Sequence, residues 1–352
     1  MDTIDRIASN TQFTNKKLLD GSSGVNGVVT DTDVSFIKAT ANTAAGNYAL
    51  AVTTTGKRGV AEAGTAQASA LAADEILTVN GVSISLSAGL TQADVINRIN
   101  EFSSQTGAVA DGNGTGSTTR LYSQAFGTSA SVDVISNVAA AGTSSGFGTS
   151  NISGTGANVV ATVEGVSFNG QGNVLNVNSG AAKDLTISFA ANTGVNSHQT
   201  VTRAQGNIII ANDSLIFQIG ANRDQTASLG IGKVNPVSLG VAIQGNQFGS
   251  LNDIDVTSAS KSQDALDVID AAIDEVTNRR SSLGAFQQNT LESTANNLRT
   301  TLGNSVNAES VLRDTDFAEE IANFTKQQVL VQAGTSILAN ANQSSQLVLS
   351  LL

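Results

Sequence analysis

The chain has 352 residues, 40% of them hydrophobic, with a formal net charge of −11 and a sequence pI of about 4.5. That length can bury sizeable cores and suggests two or three domains, while the acidic balance, with no basic cluster to offset it, argues against nucleic acid as a partner. The absence of cysteine excludes disulfides, thiolate metal sites and thiol nucleophiles, and a single histidine cannot build an H-E-x-x-H zinc site.

Taken from the N-terminus, Met1 to Arg6 shows no apolar run of signal-peptide type. Ile4 and Ile7 predict one or two turns of helix, followed by an extended stretch through Phe13, Leu18 and Leu19 to a turn at Gly21 to Gly24. This segment is expected to fold back against the long helix near the other end of the chain. Asp31 and Asp33 lack further oxygen ligands in register for calcium and read as a solvated turn.

From Thr40 to about Val201 the chain is rich in Gly, Ser and Thr, a composition that permits low-complexity disorder. Regular strand signals recur through it, however, and predict folded β structure. Leu77 to Leu86 alternates apolar and polar residues around Asn80-Gly81, the signature of a tight hairpin. Thr91 to Ile99 reads as a capped helix with Val95, Ile96 and Ile99 inward. Arg120 to Tyr122 and Val132 to Ile135 are further strands. A second unit, Val159 to Phe189, offers strands at Val159 to Val163, Val174 to Val177 and Leu185 to Phe189, with turns at Glu164-Gly165 and Asn169-Gly170. Beyond it, Ser214 to Asn222 and Ala227 to Ile231 predict two joined strands, and Pro236, the only proline, fits a turn or sheet edge.

The C-terminal quarter is helical in period. Leu266, Ile269, Ile273, Val276, Leu283, Leu291, Leu298 and Leu302 recur mostly in steps of three and four, as in a helix with one apolar stripe. The two successive steps of four at Leu283, Gln287 and Leu291 resemble a stutter in a heptad pattern. A polar hinge is expected at Asn304, Ser305 and Asn307. A last helix then opens near Asp314 to Asp316, where acidic residues suit a helix N-terminus, and carries Phe317, Ile321, Phe324, Leu330, Ile337, Ala341, Val348 and Leu351. Gly334, Thr335, Ser336, Ala339 and Ala341 thin one side and permit close approach of a neighbouring backbone. Ordering so long a helix costs about 1–2 kcal/mol per residue, more than its own side chains offset, so a partner surface must supply the burial. Its glutamines and asparagines interrupt every window long enough to span a membrane.

These stretches resemble the bacterial flagellins. The likeness rests on QAGTSILANANQSSQLVLSLL (Gln332 to Leu352), AESVLRDTDFAEEIANFTKQQVL (Ala308 to Leu330), ALDVIDAAIDEVTNRRSSLGAFQQN (Ala265 to Asn289) and IDRIASNTQFTNKKLLDG (Ile4 to Gly21). LIFQIGANRDQTASLGIG (Leu215 to Gly232) is similar to the β-hairpin of the family's rod-like domain, and GTGANVVATVEGVSFNGQGN (Gly154 to Asn173) to its outer-domain sequence. The strand, Asn-Gly turn, strand, helix, strand order around residues 77–135 resembles the insert motif of flagellins and of the filament cap protein. The resemblance covers both ends well and the centre loosely. One departure is Thr14-Asn15, where the family usually shows Asn-Gly. The two long N-terminal helices that normally precede this segment are absent from the sequence. The expectation drawn from that is a chain that does not polymerise alone, with a frayed or self-associated C-terminal helix.

The resemblance implies an α+β fold in which long C-terminal helices and a β-hairpin form a rod-like inner region and β-rich modules face outward. In chain order it divides into residues 1–39 and 206–307 of the rod-like domain, outer modules at 40–140 and 141–205, and a filament-core helix at 308–352. It implies a secreted structural subunit of the flagellar filament, not an enzyme, without cofactor or metal and with no membrane partner. The stripe from Leu266 to Leu302 would pack the rod and the stripe from Phe317 to Leu351 the filament core. The implied partners are other subunits, an export chaperone at the C-terminal segment, hook-associated and cap proteins, and an innate-immune Toll-like receptor, whose main contact helix would lie in the absent segment.

A hook-filament junction protein is the nearest rival, but the QAGTS and VLSLL matches favour flagellin proper. From a different class, Gly142-Thr-Ser-Ser-Gly146 matches a G-x-S-x-G elbow, and Ser144, Asp184 and His198 follow in hydrolase order. The elbow needs a buried strand before it and a helix after it, and only small residues surround this serine. His198 reads instead as a solvated linker residue. Gly112 to Gly116 lacks the G-K-[ST] ending of a phosphate loop. Asn113 and Asn151 open Asn-x-Ser/Thr triplets that such a composition produces by chance.

Overall fold

The computed structural model describes residues 2–201, 205–314 and 316–349. The chain is α+β. It divides into two compact units, Met1–Gln287 and Gln288–Leu352.

The first unit opens with α1 (Asp2–Asn10) and a hairpin of β1 (Gln12–Phe13) and β2 (Lys16–Lys17), then β3 (Val25–Val29), β4 (Val34–Lys38), β5 (Gly46–Thr54) and β6 (Val60–Glu62). The hairpin β7 (Glu75–Val79) and β8 (Val82–Leu86) leads into α2 (Gln92–Asn100), α3 (Ser103–Thr106), β9 (Ala108–Asp111), β10 (Arg120–Ser123), β11 (Ser131–Ser136) and β12 (Ile152–Thr155). Next come β13 (Val160–Val163), β14 (Val166–Asn169), β15 (Val174–Asn176), β16 (Thr186–Phe189) and β17 (Gln205–Asn212). A last hairpin, β18 (Leu215–Gln218) and β19 (Thr226–Leu229), precedes α4 (Ala259–Ala285). Helical structure continues as a π-helical segment, Phe286–Glu292, then α5 (Ser293–Arg313) and α6 (Phe317–Leu349).

Three cores organise the first unit. In one, the five-stranded antiparallel sheet β14-β13-β5-β17-β3 faces the three-stranded sheet β15-β16-β4, and Tyr48, Leu50, Ala161, Phe168, Ile208 and Ile210 pack on Val34, Leu175, Ile187 and Phe189. In the second, the sheet β12-β11-β7-β8 packs on α2 and on the sheet β6-β10-β9, through Leu77, Ile84, Val132, Val95, Ile99 and Leu121. The third sets Leu239, Phe248 and Leu251 against Ala265, Val268 and Ala272 of α4, with Ile4 of α1 partly buried beside them. The first core thus draws on both sides of the 39/40 and 140/141 divisions, because β5 pairs with β13 and β17 far along the chain.

Several local expectations are met for the reasons given. Asn80 and Gly81 adopt φ of 48° and 83°, the positive pair that a two-residue hairpin turn needs. Thr91 caps α2 in a reciprocal capping box with Asp94, and Val95 and Ile99 are fully buried. Glu164 and Gly165 form the second such turn, with φ of 52° and 77°. Ile4 and Ile7 lie in α1, and Pro236 in a turn.

Two readings change, and one strand is new. Asn169 ends β14 instead of turning, and the chain reverses at the bridge between Gln171 and Val174, where Gly172 takes a positive φ. The hinge at Asn304 to Asn307 does not exist: α5 runs through these polar residues to Arg313, and the break comes at Asp314, whose ψ is 125°. Polar side chains on an exposed helix cost little, so they do not end it. Asp316 then caps α6, its Oδ1 accepting from the amides of Ala318 and Glu319. The strand β17 lies near the middle of the largest sheet although Ile208, Ile209 and Ile210 in succession show no alternation.

Candidate assembly surface

The C-terminal helices owe their existence to long helix-compatible sequence and their surface to residues that find no shelter. On α4 the buried face is Ala265, Val268 and Ala272, with Val276 partly buried, all against the third core. Gly240 allows this approach, since a Cβ there would lie 2.7 Å from Val268 Cγ1 and 2.7 Å from its carbonyl oxygen. Burial pushes the Glu275 carboxyl up and the Arg279 guanidinium down from their ordinary values, each opposed by the other's charge across 3.5 Å. Arg279 Nη1 also donates to the carbonyl of Lys233.

The stripe singled out from the sequence shares Val276 with that face and otherwise lies beside it. Leu266 and Ile273 are 60% and 58% exposed, and Ile269 sits between the two faces at 38%. Leu283 and Leu291 are half-buried, Leu298 and Leu302 exposed. Leu291 falls within the π-helical segment at the place where the stutter was read. A wider turn there lets successive steps of four stay on one side of a helix.

On α6, Phe317, Ile321, Phe324, Leu330 and Ile337 are all exposed, Phe324 by 67% and Ile337 by 68%, and Ala341 is exposed too. Val348 belongs to α6, and Leu351 lies outside the described residues. Phe317, Ile321 and Phe324, with Glu320, line a shallow apolar depression. The sequence reading missed Val329, Val331, Leu338 and Leu347, which are exposed as well. Val329, Leu330 and Val331 are consecutive and so point about 100° apart, which spreads the apolar surface around the helix. The signal was present as that run of three, which a search for one stripe passes over. On α5, Val306, Val311 and Leu312 were passed over likewise and are exposed.

The three residues in hydrolase order, Ser144, Asp184 and His198, are not brought together. Ser144 is buried, its Oγ bonded to the carbonyls of Ala139 and Ala141. Asp184 accepts from Thr40 and Asn42. His198 is partly buried, not a solvated linker residue, and its Nδ1 lies 3.0 Å from Arg120 Nη1. Each of the three has its own partners, and none hydrogen-bonds another. Asp31 accepts from the Asp33 amide in a local turn. Among the described residues no helix is long and apolar enough to cross a membrane.

Residues 266–352 match the family model of the bacterial flagellin C-terminal helical region. A flagellar filament 33 kDa core protein of Treponema phagedenis is 37% identical over 194 residues, 55% of this chain and 59% of that protein. The putative flagellin YvzB of Bacillus subtilis (strain 168) is 41% identical over 142 residues, 40% of this chain and 82% of that protein. The chain belongs to the flagellin family. This flagellin spans little more than half the length of the Treponema filament protein. Among solved structures, the D1-D2-D3 domains of the flagellar cap protein FliD from Escherichia coli align over 55% of this flagellin and 59% of that chain, at 20% identity and a TM-score of 0.34.

Proposed function

We propose that this flagellin is a structural subunit of the extracellular bacterial flagellar filament and not an enzyme, and that copies associate by helix-helix packing. The observation that carries the reading is α6, a helix with apolar residues on every side and every described side chain from Phe317 to Leu347 exposed. Large apolar side chains exposed on several sides of one helix call for burial, and neighbouring copies supply it. Phe317, Ile321, Phe324, Leu330, Ile337, Ala341, Val348 and Leu351 would line the filament core, and the stripe from Leu266 to Leu302, exposed at Leu266, Ile269, Ile273, Leu298 and Leu302, the layer around it. On this reading residues 1–39 and 206–307 serve the rod, residues 40–140 and 141–205 face solvent, and residues 308–352 form the core. The partners it calls for are an export chaperone holding the C-terminal segment before secretion, hook-associated and cap proteins, and an innate-immune Toll-like receptor.

Immunogold electron microscopy of filaments sheared from producing cells tests this. Label is expected along the filament and is expected to vanish for Phe324→Asp, which puts a charge into the packed core while leaving the exposed helix of the free subunit intact. Unlabelled filaments, with the protein held inside the cell, would overturn the reading.

A further inference from the structure

Three arginines of the first unit are largely withdrawn from water, and two of them are paired. Arg120 meets Asp111 at 2.6 Å and Arg279 meets Glu275 at 3.5 Å. Arg58 has no such partner. Its guanidinium carbon sits 4.5 Å from the Phe126 ring centroid and 5.1 Å from that of Tyr122. Its Nε is buried without a hydrogen bond, and among the described residues no carboxylate forms an ion pair with it. Burial pulls this guanidinium down from its ordinary value, opposed only by the Tyr122 phenol and by no carboxylate. A charge left unpaired in a desolvated place is costly unless something else meets it.

The guanidinium borders a cavity of about 300 Å³ whose walls include Tyr122, Gln124, Phe126, Ile243 and Gln244 and contain no Asp or Glu. The cavity lies where the β9–β10 strands, the turn at Asn173 and the loop of residues 242–247 meet. Gln244 spends its Nε2 on the Gln171 carbonyl, and the Gln124 side chain is unspent among the described residues. The two aromatic rings fix the plane of the guanidinium, which leaves its edge, with the N–H donors, for a ligand.

We propose that this cavity is a carboxylate-binding site, in which Arg58 clamps the two oxygens of one carboxylate through paired N–H donors. A planar fork matched to a planar acceptor is the strongest arrangement an arginine makes. The carboxylate comes either from a small free ligand with an apolar body, suited to Ile243, or from an Asp or Glu side chain of a second copy of this acidic chain. The shared chemistry is the same, and the site is independent of the filament reading.

The ¹⁵N-labelled full chain separates these sources when the Arg58 Nε–Hε resonance, assigned through its contacts to the Tyr122 and Phe126 ring protons, is followed by NMR. Sodium benzoate is expected to shift that resonance saturably, whereas benzamide, of the same shape and without the charge, leaves it in place. Arg58→Lys keeps the charge and loses the fork, and calorimetry should read benzoate affinity lower by about tenfold or more. A shift that grows with protein concentration and is reversed by benzoate assigns the carboxylate to a second copy; a shift with benzoate alone assigns it to a free ligand. The wild-type titration does not depend on the variant folding. An Arg58 resonance unmoved by benzoate and by protein concentration, or moved equally by benzamide, overturns the proposal.

Discussion

Arg120 spends its guanidinium on Asp111, on the Val195 carbonyl and on Ser197, and so fixes the chemistry of the histidine it also faces. An Arg N–H can only donate, so the His198 Nδ1 that receives it must be the unprotonated nitrogen. Burial first, and then the Arg120 charge, hold the His198 imidazole below its ordinary value, with Glu62 and Asp111 opposing. The unfolded chain therefore binds a proton near pH 6.5 that the folded chain still refuses. His198 thus contributes stability that is complete above about pH 6.5 and is lost as pH falls toward the lower folded value. Urea unfolding midpoints should drop as pH falls below about 6.5 more steeply for the wild type than for His198→Gln. Equal slopes would show that the fold does not hold the His198 imidazole below its ordinary value. Asp20, Asp94 and Asp255 are held below the carboxylate range by their hydrogen bonds, and lose their contributions only at more acid pH. From the sequence, His198 looked solvated because Ser, Asn and Gly surround it. Its partner is 78 residues away.

At the scale of the element, α4 carries two apolar faces side by side, and only one is satisfied within the chain. Val268 is fully buried while Leu266, two positions earlier, is 60% exposed. Val268→Ala should cost about 1–2 kcal/mol of folding free energy in the isolated subunit, by lost burial and the space left behind. Leu266→Ala should fall within about 0.5 kcal/mol of wild type there, as exposed substitutions do, and weaken only assembly. Thermal melts of the two variants beside a sedimentation assay of polymer would check both, and a large loss of melting temperature for Leu266→Ala would contradict the exposed face. The stutter was legible because it is a matter of spacing along one helix. Which stripe turns inward was not, because Leu and Ile outrank Ala in hydrophobicity, and the loop of Leu239 to Leu251 selects the flatter Ala265-Val268-Ala272 face for close contact.

At the scale of the molecule, the chain in the first unit runs outward through nested insertions and returns. Residues 60–155 build the second core between β5 and β13, and residues 25–54 and 159–212 build the first between the two parts of the third. Cooperative stability should follow this buried area. Hydrogen exchange is expected to be slow in β5, β13 and β17, whose neighbours cover both edges. It should be fast throughout α6 in the free subunit, where no described side chain is buried. In assembled filaments the α6 amides should become protected, and protection already complete in the monomer would place the burial within one chain instead of between copies.

What the sequence determined by itself was everything set by neighbours along the chain. The Asn80-Gly81 and Glu164-Gly165 turns, the Thr91 cap, the helical period from Leu266 onward and the surplus of apolar surface at the C-terminus were all legible, since turn chemistry, capping and periodicity act over a few residues. Only the tertiary structure decided which strands share a sheet, which stripe of α4 is covered, and that Arg120 and His198 meet while Arg58 stays unpaired. Those outcomes depend on pairings across a hundred residues or more, such as Leu50 with Val163 and Gly46 with Ile210, and no local preference specifies the register of partners so far apart.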